Sequence, residues 1–408
     1  MKQKKNENRN NLLSPIIIAL FISFISVPSF PKDNVCTECH LTEKGKKRID
    51  IKELKMSVHK DTGCTDCHGD LSYPHTEKKH VDCSQCHEEE TADYTKSVHG
   101  KSAVTGDTPS CTTCHGSHGI TKLNRTMIPN LCLNCHSDRT IEEKYNLPGV
   151  EFIQAYRNSV HGKAVYNLGL INAPVCSNCH NSHLVLPPDE PLSTIYKKNI
   201  PDLCGKCHSS EKQEYLNSIH GTAIQKNIKE APVCIDCHGE HTISIVTDPN
   251  SRVSPKNLPN TCSKCHDNVA FAEKFGFRTN RFTTYLNTFH GVANVYGLTT
   301  VANCSSCHGY HSILPSSDPR SPTHPDNIPK TCGKCHPGAG INFAKGPIHV
   351  EPTPTGSRPA YYVRTFYKWF IGALCVLFLI HIIVDYAGYR KKKKSFAKEI
   401  KIDEDEKP

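Results

Sequence analysis

The sequence predicts a mainly α-helical protein with much irregular loop, made of short helices and followed by one transmembrane helix near the C-terminus. Three observations predict it. A five-residue motif recurs eleven times, the apolar fraction is only 37%, and a long apolar run spans Phe366 to Tyr389.

The motif is Cys-x-x-Cys-His. It takes up 22 of the 23 cysteines, leaving Cys375. The copies are Cys36, Cys39 and His40; Cys64, Cys67 and His68; Cys83, Cys86 and His87; Cys111, Cys114 and His115; Cys132, Cys135 and His136; and Cys176, Cys179 and His180. They continue as Cys204, Cys207 and His208; Cys234, Cys237 and His238; Cys262, Cys265 and His266; Cys304, Cys307 and His308; and Cys332, Cys335 and His336. This is the attachment signature of c-type haem: the two thiols add to two vinyl groups, and the adjacent His takes one face of the iron. A disulfide framework or Cys₄ zinc ribbons would also use paired cysteines. Neither requires a His after the second Cys, still less in all eleven copies. The expected cofactor is haem c, eleven per chain, covalently attached.

Composition agrees. A globular chain is about 45–50% apolar, so a polypeptide core would be thin here. The 301 residues from Cys36 to His336 leave about 27 per motif, with little room for a sheet or a separate catalytic domain. The expected architecture is that of a multihaem cytochrome c, with short helices wrapped around a haem chain. The formal charge of +9 does not indicate nucleic acid, because two propionates on each haem would outweigh it. No nucleic-acid motif is present either.

Both ends carry targeting signals. Residues 1–29 read as a secretory signal, with Lys2, Lys4, Lys5 and Arg9 ahead of the apolar stretch Ile16 to Val27. An uncleaved N-terminal anchor is the other reading. The run from Phe366 to Tyr389 reaches the ~20 residues that cross a bilayer. Tyr367 and Trp369 mark one interface, Tyr386 and Tyr389 the other, and the basic run Arg390 to Lys394 sets that end in the cytoplasm. The expected location is the cytoplasmic (inner) membrane, single-pass, with the haem region on the periplasmic side. The expected divisions are a three-haem segment at 30–94, four two-haem repeats at 95–336, a linker at 337–364, the membrane helix at 365–389 and a cytoplasmic tail at 390–408.

The haem region is repetitive. Each unit opens with Tyr-x-x-Ser-Val-His-Gly or a variant, continues with Cys-x-x-Cys-His-Gly-x-His, and closes with Pro-x-x-Cys-x-x-Cys-His. The opening histidines are His99, His161, His220 and His290, and the second histidines are His118, His183, His241 and His311. A shorter copy with His59 precedes them, and the motif at Cys36 stands alone. Tyr94, Tyr156, Tyr215 and Tyr285 precede the opening histidines by five residues. Packing against haem is their expected role, rather than redox chemistry. The Gly after each opening His predicts a helix C-terminus there. Pro129, Pro201, Pro259 and Pro329, three residues before the plain motifs, predict short helices carrying them.

Each iron has a second axial position. Met56 and Met127 cannot serve eleven irons, but histidine can. The candidates are His59, His75, His80, His99, His118, His161, His183, His220, His241, His290 and His311, with His324, His349 and His381 left over. His115 and His118 lie on one side of a helical turn and cannot reach opposite faces of one porphyrin. His118 and its counterparts are therefore expected to ligate a haem other than that of their own motif.

Ser97-Val98-His99-Gly100 with Cys111 to His118, and the later copies, resembles the bacterial multihaem c-type cytochromes with doubled Cys-x-x-Cys-His motifs, over residues 36–336. The resemblance implies bis-histidine ligation and electron transfer. Some members are held by an N-terminal helix and oxidise membrane quinol. This chain departs from them in its C-terminal anchor, which leaves quinol oxidation open. The expected function is an electron conduit, not an enzyme. It would run between a cytoplasmic-membrane donor (quinol or a quinol dehydrogenase) and periplasmic acceptors in anaerobic respiration. The expected partners are a quinol-oxidising or cytochrome b-type membrane subunit and periplasmic redox proteins. The last motif, Cys332 to His336, is the expected port towards the membrane. The alternative is a nitrite- or hydroxylamine-type reductase or dehydrogenase with one open haem, at Cys36 or Cys332. All eleven motifs end in His, so the sequence marks no haem as different.

Overall fold

Each doubled motif is a single helical turn with a cap built from its own second variable residue. In the computed structural model, which describes residues 33–42, 48–69, 81–102, 108–147 and 151–405, these turns include Cys111–His115, Cys176–His180, Cys234–His238 and Cys304–His308. Asn178 accepts from the Val175 amide at 2.8 Å and Asp236 from the Val233 amide at 2.7 Å. Thr113 and Ser306 do the same for Ser110 and Asn303. The cap satisfies an amide just ahead of the turn. The residue after the motif His then takes a positive φ of 79° at Gly116, 84° at Gly239 and 78° at Gly309, with Asn181 at 69° in the remaining copy. An L side chain is disfavoured there, which accounts for Gly or Asn at that place.

The plain motifs begin on the helices predicted from their prolines: Ile128–His136 and Leu258–His266 carry the whole motif, while Ile200–Gly205 and Ile328–Gly333 end just after its first cysteine. Each has Pro in its first turn. The approach to the last three is fixed by an asparagine clamp that the sequence reading did not find. The Asn257 side-chain amide donates to the Pro249 and Ser251 carbonyls at 2.7 and 3.0 Å. Asn199 and Asn327 make the matching pairs to Pro191 and Ser193, and to Pro319 and Ser321. The three serines are buried, and their hydroxyls reach back to Leu186, Ser244 and Leu314.

The opening segment corrects an expectation. The glycine after the opening His does not end a helix. A first helix, such as Ser209–Leu216, stops, and a second, Ile219–Gln225, starts at once. Ser218 caps the second by accepting from the Gly221 amide at 3.1 Å. Gly221 is helical and buried, and a Cβ there would overlap the Tyr215 carbonyl oxygen. The same overlap holds for Gly100 with Tyr94, Gly162 with Tyr156 and Gly291 with Tyr285. Close approach of backbone to backbone, not left-handed geometry, is the reason for glycine here.

The tyrosines have a further role in this corner. The Tyr215 hydroxyl donates to the Pro232 carbonyl at 2.9 Å, Tyr156 to Pro174 at 2.8 Å and Tyr285 to Ala302 at 3.1 Å. Each acceptor lies two residues before a doubled motif, so the tyrosine joins the opening corner to that attachment turn.

The described residues contain helices and loops and no strand, as predicted. The chain divides into one unit of Met1–Thr91 with Pro109–Lys122, and a second of Ala92–Thr108 with Leu123–Pro408. The polypeptide core is thin: its cluster is Ile200, Tyr215, Ile224, Ala231 and Val233. The C-terminal helix runs from Arg358 to Asp405, and its apolar stretch is long enough to cross a bilayer. It thus begins within the expected linker and continues past the basic run into the expected tail. The proposed signal at 1–29 lies outside the described residues.

Candidate haem-binding sites

Among the described residues, nine imidazole pairs stand opposite one another at a repeated spacing. With a metal–nitrogen bond of about 2 Å and a ring radius near ~1 Å, two axial imidazoles on one iron put their centroids about 6 Å apart. In the first unit His59 stands 5.9 Å from His87 and His68 stands 6.3 Å from His118. In the second, His99 pairs with His136 at 6.4 Å, His161 with His208 at 6.3 Å, and His220 with His266 at 6.2 Å. His290 pairs with His336 at 6.1 Å, His180 with His241 at 6.0 Å, and His238 with His311 at 6.1 Å. The ninth pair is His308 with His349 at 6.3 Å. Every pair joins one motif histidine to one histidine outside the motifs.

The pairs obey a rule. An opening histidine faces the plain motif of its own repeat: His59 with His87, His161 with His208, His220 with His266. A second histidine faces the doubled motif of the preceding repeat: His118 with His68, His241 with His180, His311 with His238. The last doubled motif has no following repeat, and His349, which the histidine count left spare, takes that place. His183 is half-buried in the loop after its motif turn, and His75 and His80 lie outside the described residues. His40 sits on the helix Asp33–Thr42. His324 faces no motif histidine among the described pairs; its Nδ1 accepts from the Asp326 amide at 3.3 Å and caps its own turn.

Burial acts on several of these rings. It pushes His99, His136, His161, His238, His266 and His308 below the usual imidazole range. For His220 burial lowers the value to about 4, with the nearby His266 adding to the shift. A neutral ring keeps the lone pair that a metal requires. Hydrogen bonds to the far nitrogen orient the ring and raise its basicity. His349 Nδ1 has such a bond with Thr284 Oγ1 at 2.9 Å, while His311 Nδ1 has an ionic contact with the Glu214 carboxylate at 3.6 Å.

The cysteines fall into a linear order. In the second unit Cys132 and Cys176 are within hydrogen-bonding reach, as are Cys204 with Cys234 and Cys262 with Cys304. Between these doublets Cys179 lies near Cys207, Cys237 near Cys265, and Cys307 near Cys332 and Cys335. First cysteines therefore meet first cysteines, then second cysteines approach second cysteines, alternately along the chain. The first unit shows both contacts, with Cys83 against Cys111 and Cys67 near Cys86. Phe152 packs on His136 and His241, ligand candidates for two successive motifs, those at Cys132 and Cys176. Among the described residues no three donors converge as a zinc site of the ribbon type would need.

Cysteine pairs followed by histidine, an opposed second imidazole and short helices without strands define a multihaem c-type cytochrome that binds haem c covalently. The family model for cytochrome c554 and c-prime matches residues 24–69 and 82–168, and the model for the doubled CXXCH motif matches residues 170–213. No curated protein and no solved structure matches the chain. When bound, haem c supplies a one-electron iron couple at each motif. The residues fit it: two thiols and one imidazole on a helical turn, and a neutral, oriented imidazole opposite.

Proposed function

We propose that the chain is a membrane-anchored undecahaem electron conduit on the periplasmic face of the cytoplasmic membrane. It passes electrons between a membrane donor, a quinol or a quinol dehydrogenase, and periplasmic redox proteins. The observation that carries this reading is the sequence-ordered file of neighbouring cysteines from Cys132 to Cys332. Each thiol would bond a porphyrin edge, so neighbouring thiols would bring the edges of successive haems near one another in sequence order. Opposed histidines at nine of the eleven motifs leave those irons no axial position for a substrate, which favours transfer over catalysis. The single apolar helix after the haem region supports the anchor.

Mixing experiments test it. Fully reduced protein should stay reduced with nitrite or hydroxylamine and reoxidise rapidly with an oxidised soluble cytochrome c. Steady turnover of either small molecule, with a high-spin iron in the resting protein, would replace the conduit by a reductase.

A further inference from the structure

His349 lies outside every repeat, in the segment 337–364 that leads to the membrane helix. Its ring centre is 6.3 Å from that of His308, within the range of the eight pairs drawn from the repeats. Its tautomer is legible. The Thr284 hydroxyl donates to the Asn280 carbonyl at 2.7 Å, so its oxygen is left to accept. His349 Nδ1, at 2.9 Å from that oxygen, is then the protonated nitrogen. The Arg281 carbonyl is a second acceptor beside it. The lone pair is thereby confined to Nε2. Thr284 is buried and rides on the helix Arg281–Leu286, so the arrangement is held from the haem region.

The chain beyond His349 is short and closed on itself. The Ser357 amide donates to the Glu351 carbonyl at 2.9 Å, the Thr353 amide to the same carbonyl at 2.8 Å, and the Tyr361 amide to Ser357 at 2.9 Å. The helix to the membrane begins at Arg358, nine residues after His349. Nine residues span about 30 Å at full extension, and a closed turn spans less. The last motif, by contrast, ends at His336, with 21 residues between it and Arg358.

We propose that His349 is the axial ligand opposite His308, positioned by Thr284, so that the haem on Cys304 and Cys307 is the one fastened to the membrane anchor. This rests on the multihaem reading and moves the membrane-side port from the last motif to the one before it. Thr284 is a positioning residue: by accepting the Nδ1 proton it raises the basicity of His349 and lowers the potential of that one iron.

The test uses the full-length, haem-loaded protein and reads spin state and redox titration. His349→Ala should convert one iron to high-spin and leave the remaining irons low-spin, at unchanged haem content. The high-spin signal should vanish when Cys304→Ala and Cys307→Ala remove that haem as well. His349→Met keeps a ligand and guards against misfolding; it should leave all irons low-spin and raise one midpoint potential, as methionine ligation does. Thr284→Val should raise the same potential, and Thr284→Ser should restore it. His324→Ala should change nothing. If the wild type is low-spin throughout and both His349 variants leave spectrum and potentials untouched, the ligand assignment fails while the multihaem reading stands. A high-spin signal that survives loss of the Cys304 haem overturns it equally. A wild type without covalent haem at Cys304 overturns the reading on which the assignment rests.

Discussion

The Ile219 amide donates to the Ile313 carbonyl at 2.9 Å, and this bond joins the opening helix of one repeat to the histidine loop of the next. Val98 with Val185 and Val160 with Ile243 repeat it, as does Val58 with Ile120 in the first unit. His220 follows Ile219, and His311 precedes Ile313 by two residues, so axial candidates for two different irons are fixed at one backbone contact. His220 faces His266, and His311 faces His238. The placement of each second histidine beside the preceding repeat's motif, which the expected cross-ligation needs, thus follows from the register of the repeats.

Replacing His311 with Ala should therefore alter the iron of the preceding repeat, held by Cys234 and Cys237, and not that of its own motif at Cys304. Glu214→Gln is the milder change. It weakens the contact to His311 Nδ1, so one midpoint potential should rise with all irons still low-spin. A redox titration resolved by spectrum checks both.

Gly221→Ala should destabilise the holoprotein by about 1–3 kcal/mol, because the new methyl meets the Tyr215 carbonyl oxygen. Gly239→Ala should cost about 1–2 kcal/mol through the positive φ. Gly333→Ala should be neutral or slightly stabilising, since its Cβ would meet nothing within 4 Å. Thermal melts of the three variants give the order.

Tyr215→Phe removes one buried hydrogen bond, to the Pro232 carbonyl, and should cost about 1 kcal/mol. Haem content and the rate of reoxidation should not change. A slower electron transfer at full haem loading would show that the phenol takes part in conduction.

The pH dependence has a definite sign. Burial lowers the pKa of His161 and His266, and of His220 to about 4, from the ordinary value of 6.5. Between those values the unfolded chain binds more protons than the folded one. The stability these rings contribute is complete above pH 6.5 and is lost as the pH falls through the lowered values. Low-spin absorbance should persist through pH 6.5 and fail only well below it. Half-conversion to high-spin near pH 6.5 would mean that neither burial nor the iron bond holds the rings neutral.

How far the sequence was legible follows from range. The attachment turns were readable because thioether chemistry requires both cysteines and the histidine within five residues. The plain-motif helices were readable because Pro129, Pro201, Pro259 and Pro329 mark their first turn. Eight of the opposed histidines were readable in advance, since the repeat exposes them, while His75 and His80 lie outside the described residues. Which faces which was not, because His238 and His311 are brought together by tertiary register across a whole repeat. His349 was missed because it carries none of the repeat's flanking residues. The asparagine clamp could have been found: Asn199, Asn257 and Asn327 each stand two residues before the helix proline and six after a serine. The glycines of the opening corner were misread because sequence gives the residue and not its reason. Left-handed geometry and close approach both select glycine.

The central claim is a file of bis-histidine haems, and an electron paramagnetic resonance spin count of the oxidised protein, normalised to chain concentration, tests it most directly. Eleven low-spin irons per chain, one for each Cys-x-x-Cys-His motif, with no high-spin component, is the expected result. Several high-spin irons per chain would contradict it, and would return the open-haem reductase to first place.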